Sequence, residues 1–213
     1  VYPRCCGMPQ LEQGDIAAVA EAAKEVADEL CEWIDKGHEI IALVPSCALM
    51  MKFEWPLILP DDENVKKLAT HTSDITEYIV SIAKKEGLAD GMSPLSGGVT
   101  AHIACHARAQ NMGQKGAEML KLVPDTDVKV IERCSGHGGS WGVTKEFFEV
   151  GLKVGKPVAR QAAKNETPYI VSECPLARDH ILQGMEKLDA DTSGVKQAQH
   201  PIELMATAYG LAD

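Results

Sequence analysis

Residues 133–142 read RCSGHGGSWG, and the start of this loop repeats the start of the chain. Residues 1–7 (VYPRCCG) align with residues 130–136 (VIERCSG). Further along each copy, residues 44–47 (VPSC) align with residues 171–174 (VSEC) at almost the same offset. Cysteine positions that recur in one chain at nearly constant spacing indicate a duplicated unit.

The repeat predicts two similar units. The first covers residues 1–90 and the second residues 99–213, with the Gly/Pro/Ser-rich stretch 91–98 as a linker. The second copy also has Cys105 ahead of its loop, and the counterpart of this cysteine would fall before Val1. We therefore expect a first unit that is truncated at its N-terminus and lacks its opening strand and one cysteine.

The composition limits the kinds of molecule and compartment with which the chain is expected to associate. The chain has 213 residues and a formal net charge of -10, and it has no basic cluster, which argues against a nucleic-acid partner. No apolar stretch approaches the roughly 20 residues of a membrane-spanning helix, so no transmembrane segment is expected. No signal peptide is recognisable at the N-terminus. These features predict a cytoplasmic protein, which could be held at the periphery of the inner membrane through a partner.

Apolar runs that are each followed by a cysteine predict buried parallel strands. The runs are residues 39–44, 99–104, 128–131 and 169–171, and the cysteines are Cys47, Cys105, Cys134 and Cys174. Together with the helical patterns between them, they predict an α/β fold of two Rossmann-like units with a pseudo-twofold internal repeat, each a short parallel sheet flanked by helices. Because the carboxyl ends of parallel strands meet at one edge, Cys105, Cys134 and Cys174 are expected to converge.

Two helical segments carry specific expectations. An amphipathic helix is predicted to begin after Asp15 as its N-cap and to end near Gly37. Cys31 lies on its apolar stripe, which favours a buried side chain over a ligand. Residues 48–58 are predicted to start as a helix and to break before Pro56, because proline interrupts the helical hydrogen bonds.

The cysteine content indicates metal or redox chemistry. Seven cysteines without a signal peptide favour such a role over a disulfide framework. Converging thiolates bind soft metals, as zinc or as iron–sulfur clusters. The close Cys-x2-Cys pairs of small zinc modules are absent. The adjacent Cys5 and Cys6 suit a polynuclear cluster better than one ion, because neighbouring thiolates point apart.

The glycines of the second loop have two interpretations. Gly136, Gly138, Gly139 and Gly142 could leave backbone N–H groups free to face an anionic cluster. They could also cradle a phosphate, but the loop does not match G-x-G-x-x-G and a cysteine precedes it. The first interpretation is favoured.

Two histidines adjoin the predicted ligands. His106 follows Cys105 and His137 lies near Cys134. Each could be a hydrogen-bonding or surface residue, or could bind the cofactor or deliver protons, and both interpretations stay open. The histidines without such neighbours are expected to be incidental, and these are His38, His71, His180 and His200.

Several motifs together resemble a known family. They are residues 5–9 (CCGMP), 45–47 (PSC), 52–56 (KFEWP), 102–111 (HIACHARAQN) and 134–142 (CSGHGGSWG). The combination is similar to the cysteine-rich CCG domain family, which includes the B subunit of heterodisulfide reductase and the C subunit of anaerobic glycerol-3-phosphate dehydrogenase. The resemblance covers almost the whole chain.

The resemblance implies two cysteine sites. The first would use Cys5, Cys6 and Cys47, and the second Cys105, Cys134 and Cys174. Three expected cysteines are replaced, by Ser135, Met50 and Ala177. An iron–sulfur cluster of the 4Fe–4S type is therefore the expected cofactor of the second site, with a Cys3His zinc as the alternative there. The first site could hold zinc, be empty, or be structural.

The implied function is an iron–sulfur electron-transfer subunit or domain of an oxidoreductase complex. It would relay electrons between a partner dehydrogenase and a quinone or a disulfide. One alternative is a thiol–disulfide reductase of the heterodisulfide type that acts at an open cluster iron. The other is a degenerate zinc-binding or metal-free docking scaffold, which the replaced cysteines favour.

Overall fold

The computed structural model describes residues 3–198 and 200–211, and Val1 and Tyr2 of the repeat alignment lie outside them. It shows an α/β fold with two short parallel sheets flanked by helices, as predicted. None of the helices in the described part is both long and apolar enough to cross a bilayer.

The first half of the chain carries a two-stranded sheet. Its elements are α1 (Met8–Glu12), α2 (Ile16–Ile34), β1 (Ile40–Ala42), α3 (Pro45–Leu49), α4 (Trp55–Ile58), α5 (Glu63–Thr70), β2 (Thr72–Asp74) and α6 (Ile75–Lys85). β1 and β2 pair in parallel, with Ile40 opposite Thr72. The Asp15 side chain accepts a hydrogen bond from the Ala18 N–H, so this predicted helix start is confirmed.

The break that was predicted before Pro56 is wrong. A π-helical turn, Met50–Glu54, joins α3 to α4, so the chain stays helical from Pro45 to Ile58. The Trp55 N–H bonds to the Met50 carbonyl, five residues back. Pro56 is the second residue of α4 and directly follows this π-helical turn, which departs from the regular α-helical hydrogen-bond pattern.

The second half of the chain carries a three-stranded sheet. Its elements are β3 (Val99–His102), α7 (Cys105–Ala109), α8 (Lys115–Leu120), β4 (Val128–Ile131), α9 (Phe148–Asn165), β5 (Tyr169–Ser172), α10 (Pro175–Glu186) and α11 (Pro201–Ala208). The strands are all parallel in the order β4-β3-β5, so β3 is central. A 3-10 turn, Trp141–Val143, closes the loop that follows β4.

The two halves pack against each other. α6 contributes Val80 to the apolar core of the second half. Lys52 Nζ donates to Glu77 at 2.6 Å and to Gln110 at 3.1 Å, and Gln110 in turn donates to the Pro45 carbonyl at 3.3 Å. These contacts hold α3 and the π-helical turn beside the end of α7, the helix that follows the central strand β3.

Candidate metal centre

Three strands of the second sheet deliver cysteines to one pocket. Cys105 follows β3, Cys134 follows β4 and Cys174 follows β5, and all three line a pocket of about 180 Å³. The strands are parallel, so their carboxyl ends lie at one edge of the sheet. The structure thus brings together the three cysteines that the sequence placed at this edge.

The first half of the chain supplies part of the pocket wall. Glu12 at the end of α1 lines it, as do Pro45 and Ser46, which precede Cys47. From the second half, His106, Ser135 and His137 line it together with Gly138 and Gly139. The pocket therefore lies between the two halves and is completed by both.

Polar contacts around the thiols define their chemistry. Cys174 Sγ lies 3.8 Å from His137 Nε2, and Ser135 Oγ lies 2.7 Å from His137 Nδ1. Burial, together with the neighbouring His180, lowers the pKa of His137 to about 4, so its ring is neutral near pH 7. Burial raises the pKa of the Cys174 thiol. The Arg108 guanidinium donates to Cys105 Sγ at 3.3 Å and provides positive charge beside the site.

His102 ties the three strand ends together. Its Nε2 donates to the Arg133 carbonyl at 2.7 Å, and its Nδ1 accepts from Ser172 Oγ at 2.9 Å. The ring is buried, and burial lowers its pKa, so it is neutral. Sequence reasoning missed this role, although a histidine inside a buried strand, three residues before Cys105, is an unusual feature that could have indicated it.

His180 supports the loop that carries Cys134. Its Nδ1 donates to the Ser135 carbonyl at 2.7 Å, and only 2% of the residue is exposed. Its Nε2 is buried without a partner among the described residues. His180 was expected to be incidental, and this contact was not predicted. The two residues are 45 positions apart in the sequence.

The loop glycines divide into two groups. Gly138 and Gly139, with φ of 51° and 61°, line the pocket. Gly136 instead packs on α9, where an added Cβ would overlap the Gly151 carbonyl oxygen. The Gly142 N–H bonds to the His137 carbonyl at 2.6 Å, so it is not free to face a cluster.

Glu173 is a buried carboxyl group next to Cys174. Only 1% of it is exposed, and its Oε2 accepts a hydrogen bond from the Ala104 N–H at 2.9 Å. Burial raises the pKa of Glu173 to about 7. This bond links the turn that carries Cys174 to the turn that carries Cys105, a role that sequence reasoning missed.

The cysteines of the first half lie in a different arrangement. Cys6 Sγ and Cys47 Sγ are 3.4 Å apart, and Cys6 is only 3% exposed, whereas Cys5 is exposed. The Trp55 indole N–H donates to the Cys6 carbonyl at 3.1 Å. Contact with Cys47 and burial raise the pKa of Cys6. Cys31 is buried on α2, as predicted.

No three His, Cys, Asp or Glu side chains within residues 3–198 and 200–211 converge closely enough to hold a single metal ion. The thiols of the pocket are spread around its wall.

The fold and the pocket define an α/β cysteine-rich protein with a thiol-lined site. Residues 99–176 match the CCG family, described as a cysteine-rich domain, and the resemblance predicted from the motifs is thereby confirmed.

Curated relatives match more of the chain. The C subunit of anaerobic glycerol-3-phosphate dehydrogenase from Escherichia coli is 25% identical over 207 residues, which are 96% of this chain and 49% of that protein. The D subunit of dihydromethanophenazine:CoB–CoM heterodisulfide reductase from Methanosarcina acetivorans is 27% identical over 217 residues, 98% of this chain and 50% of that protein. Lactate utilization protein A from Bacillus cereus is 30% identical over 148 residues, 65% of this chain and 58% of that protein. The chain spans about half the length of the first two.

Proposed function

We propose that the chain is an electron-transfer subunit or domain of an oxidoreductase complex, with an iron–sulfur cluster held by Cys105, Cys134 and Cys174. The observation that carries the proposal is the position of these three thiols around one pocket of about 180 Å³ at the carboxyl edge of a parallel sheet. Thiolates are the protein ligands that iron–sulfur clusters use.

The donor set fits a group with several metal atoms. The thiols line a pocket and do not meet at a single point within the described residues. When bound, a cluster would supply one-electron transfer at a potential set by its surroundings. The 4Fe–4S type agrees best with three thiolates and one further ligand position.

The remaining residues of the pocket would position and tune the cluster. Arg108 would balance thiolate charge at Cys105, and the N–H groups of Gly138 and Gly139 would face an anionic group. His102 and His180 would hold the cysteine loops rigid through their bonds to Arg133 and Ser135.

The names of the relatives support a redox partner. Two of them are subunits of a dehydrogenase and of a heterodisulfide reductase. We infer that this chain receives electrons from a partner dehydrogenase and passes them to a quinone or a disulfide. A location in the cytoplasm, at the inner membrane through that partner, agrees with this role.

Metal and sulfide analysis of anaerobically purified protein tests the proposal. We expect iron and acid-labile sulfide in the wild type, an EPR signal after reduction, and loss of all three in Cys134→Ala. Cys31→Ala is the matched control, because Cys31 is buried on α2 away from the pocket and its Sγ donates to the Asn64 carbonyl. Zinc without sulfide, or a protein without metal, would contradict the cluster and favour the docking-scaffold alternative.

One contact favours a second candidate, a thiol–disulfide reductase. The neutral His137 ring next to Cys174 could accept the proton of this thiol during attack on a disulfide. Steady-state reduction of a disulfide by the isolated chain with reduced viologen as the added electron donor, abolished in His137→Ala, would support this candidate. The raised pKa of Cys174 opposes it, because the thiolate is the attacking species.

The first cysteine site is proposed as a separate and smaller site. The contact between Cys6 and Cys47 leaves no space for a cluster between their sulfur atoms, and the described residues bring no further His, Cys, Asp or Glu side chain to complete a metal site, so a dithiol fits better there than zinc. Zinc that persists in Cys134→Ala and is lost in Cys47→Ala would instead assign zinc to this site.

A further inference from the structure

Glu12 brings a carboxylate to the cysteine pocket from the other half of the chain. It ends α1, the short helix that directly follows Cys5, Cys6 and Gly7, and it lines the pocket of the second sheet. The side chain is exposed and has solvent on its outer side, yet its carboxylate lies on the glycine loop.

The residue at position 139 makes this approach possible. A Cβ on Gly139 would overlap both carboxylate oxygens of Glu12, so only glycine allows the carboxylate to lie directly on the backbone there. Gly139 has φ of 61°, which disfavours other residues as well. The close contact connects α1 with the loop that carries Cys134.

Two other donors of the pocket, both on the loop after β4, already have partners. Ser135 Oγ lies 2.7 Å from His137 Nδ1, and His137 Nε2 lies against Cys174 Sγ. The Glu12 carboxylate instead lies on the backbone of Gly139. It is therefore better placed than either of them to fill a ligand position that three cysteines leave open, and His106, which also lines the pocket, is the remaining competitor.

The charge of the site bears on whether the Glu12 carboxylate coordinates the cluster or remains uncoordinated at the pocket wall. A cluster bound by three thiolates is anionic, so an uncoordinated carboxylate at the pocket wall would be repelled by it. A bond from the carboxylate to the iron that no cysteine holds would offset this repulsion.

We propose that the Glu12 carboxylate is the fourth protein ligand of the cluster, so that the first half of the chain closes the site of the second half. The proposal rests on the cluster assigned above to Cys105, Cys134 and Cys174. It implies that loading the cluster couples the two halves through α1.

The test compares iron release from anaerobically reconstituted proteins, prepared with ferrous iron and sulfide. We expect Glu12→Gln to take up the cluster but to lose one iron to a chelator at least about tenfold faster than the wild type, since loss of a metal-supporting group weakens binding by this order or more. After one-electron oxidation with ferricyanide, the three-iron product should show its EPR signal. Gly139→Ala should behave like Glu12→Gln, because the new Cβ displaces the carboxylate without removing it.

Glu54→Gln is the matched control. Glu54, like Glu12, acts electrostatically on His106, but it does not line the pocket. It should release iron at the wild-type rate. Release from Glu12→Gln at that same rate would overturn the proposal while leaving the cluster in place. Fast release in His137→Ala or His106→Ala alone would also overturn it, because that histidine would then be the fourth ligand. A wild type that binds neither iron nor sulfide would overturn the proposed function itself, and the Glu12 proposal with it.

Discussion

The two cysteine sites of this chain differ in the number of strands that hold them. In the first half, β1 pairs only with β2, and Cys6 and Cys47 touch at 3.4 Å in the core. In the second half, β3 separates β4 from β5. Neighbouring strands are about 4.8 Å apart, so the outer two strands are about 10 Å apart across β3. The central strand therefore spreads the thiols around an open pocket.

The width of the second sheet sets how far apart the cysteines at its carboxyl edge lie. Thiols in direct contact can share one ion or form a dithiol, whereas thiols spaced by a strand can surround several metal atoms. Each of the following variants alters one half while leaving its counterpart unchanged.

The largest effect is expected from Gly136→Ala, with Gly7→Ala as its counterpart in the repeat. Both glycines have positive φ, 88° and 81°. At Gly136 the new Cβ would overlap the Gly151 carbonyl oxygen and come within 2.7 Å of the Gly155 nitrogen. At Gly7 the closest atom, a methyl of Val19, is 3.4 Å away.

We expect Gly136→Ala to lower the free energy of unfolding by about 3–5 kcal/mol, because overlap with backbone adds to strain. Gly7→Ala should lower it by about 1–2 kcal/mol from strain alone. Urea unfolding monitored by circular dichroism measures both. Equal losses of unfolding free energy would contradict this prediction, because they would show that the loops around Gly7 and Gly136 are packed equally tightly.

An intermediate effect is expected from Glu173→Gln, and it depends on pH. The pKa of Glu173 is raised to about 7 in the folded protein from an unfolded value of 4.5. The folded state therefore binds more protons between these values, and its stability falls as pH rises through this window. The predicted loss for the wild type from pH 5 to pH 8 is about 2.5 kcal/mol.

Glu173→Gln should remove this part of the pH dependence, because the amide does not ionise. Ser46, which occupies the equivalent position in the first half, carries no charge to titrate. Unfolding at pH 5 and pH 8 gives the comparison, with the exposed Glu132→Gln as control. A wild-type pH dependence that Glu173→Gln retains would place its origin in other groups.

The smallest effect is expected from removing single thiols in the metal-free protein. Cys6 is 3% exposed and packs in the core, so Cys6→Ala should destabilise by about 1 kcal/mol through a small cavity. Cys134 is exposed, and Cys134→Ala should leave the unfolding midpoint unchanged. A loss of stability in Cys134→Ala without metal would show that this thiol also has a packing role.

Periodic patterns predicted much of the fold. β4 lies at the predicted residues, and Asp15 caps α2 as expected. β2 was missed because Thr72–Asp74 has no apolar pattern, and its strand character comes from pairing with β1. The helix through Pro56 was missed because the residue types do not indicate the π-helical turn, Met50–Glu54, that precedes this proline.

The part of the candidate site that could be predicted from the sequence is the set of candidate ligands that follow strands. Cys105, Cys134 and Cys174 could be assigned to one edge because strand direction alone determines where they lie. Glu12 and His180 could not be assigned, because their contacts with Gly139 and Ser135 join distant parts of the chain. Such contacts depend on how the two halves pack, and no local pattern encodes that packing.

The residues that line the pocket lie between Glu12 and Cys174 in the sequence, so the pocket can form only after Cys174 has been synthesised. A ribosome delivers the N-terminal residues first, and β5 emerges only after most of the chain. A nascent chain therefore displays Glu12, Cys105 and Cys134 before the strand that completes their pocket is available. The site is finished by the last strand of the second sheet, so the full set of pocket residues exists only after β5 has been translated.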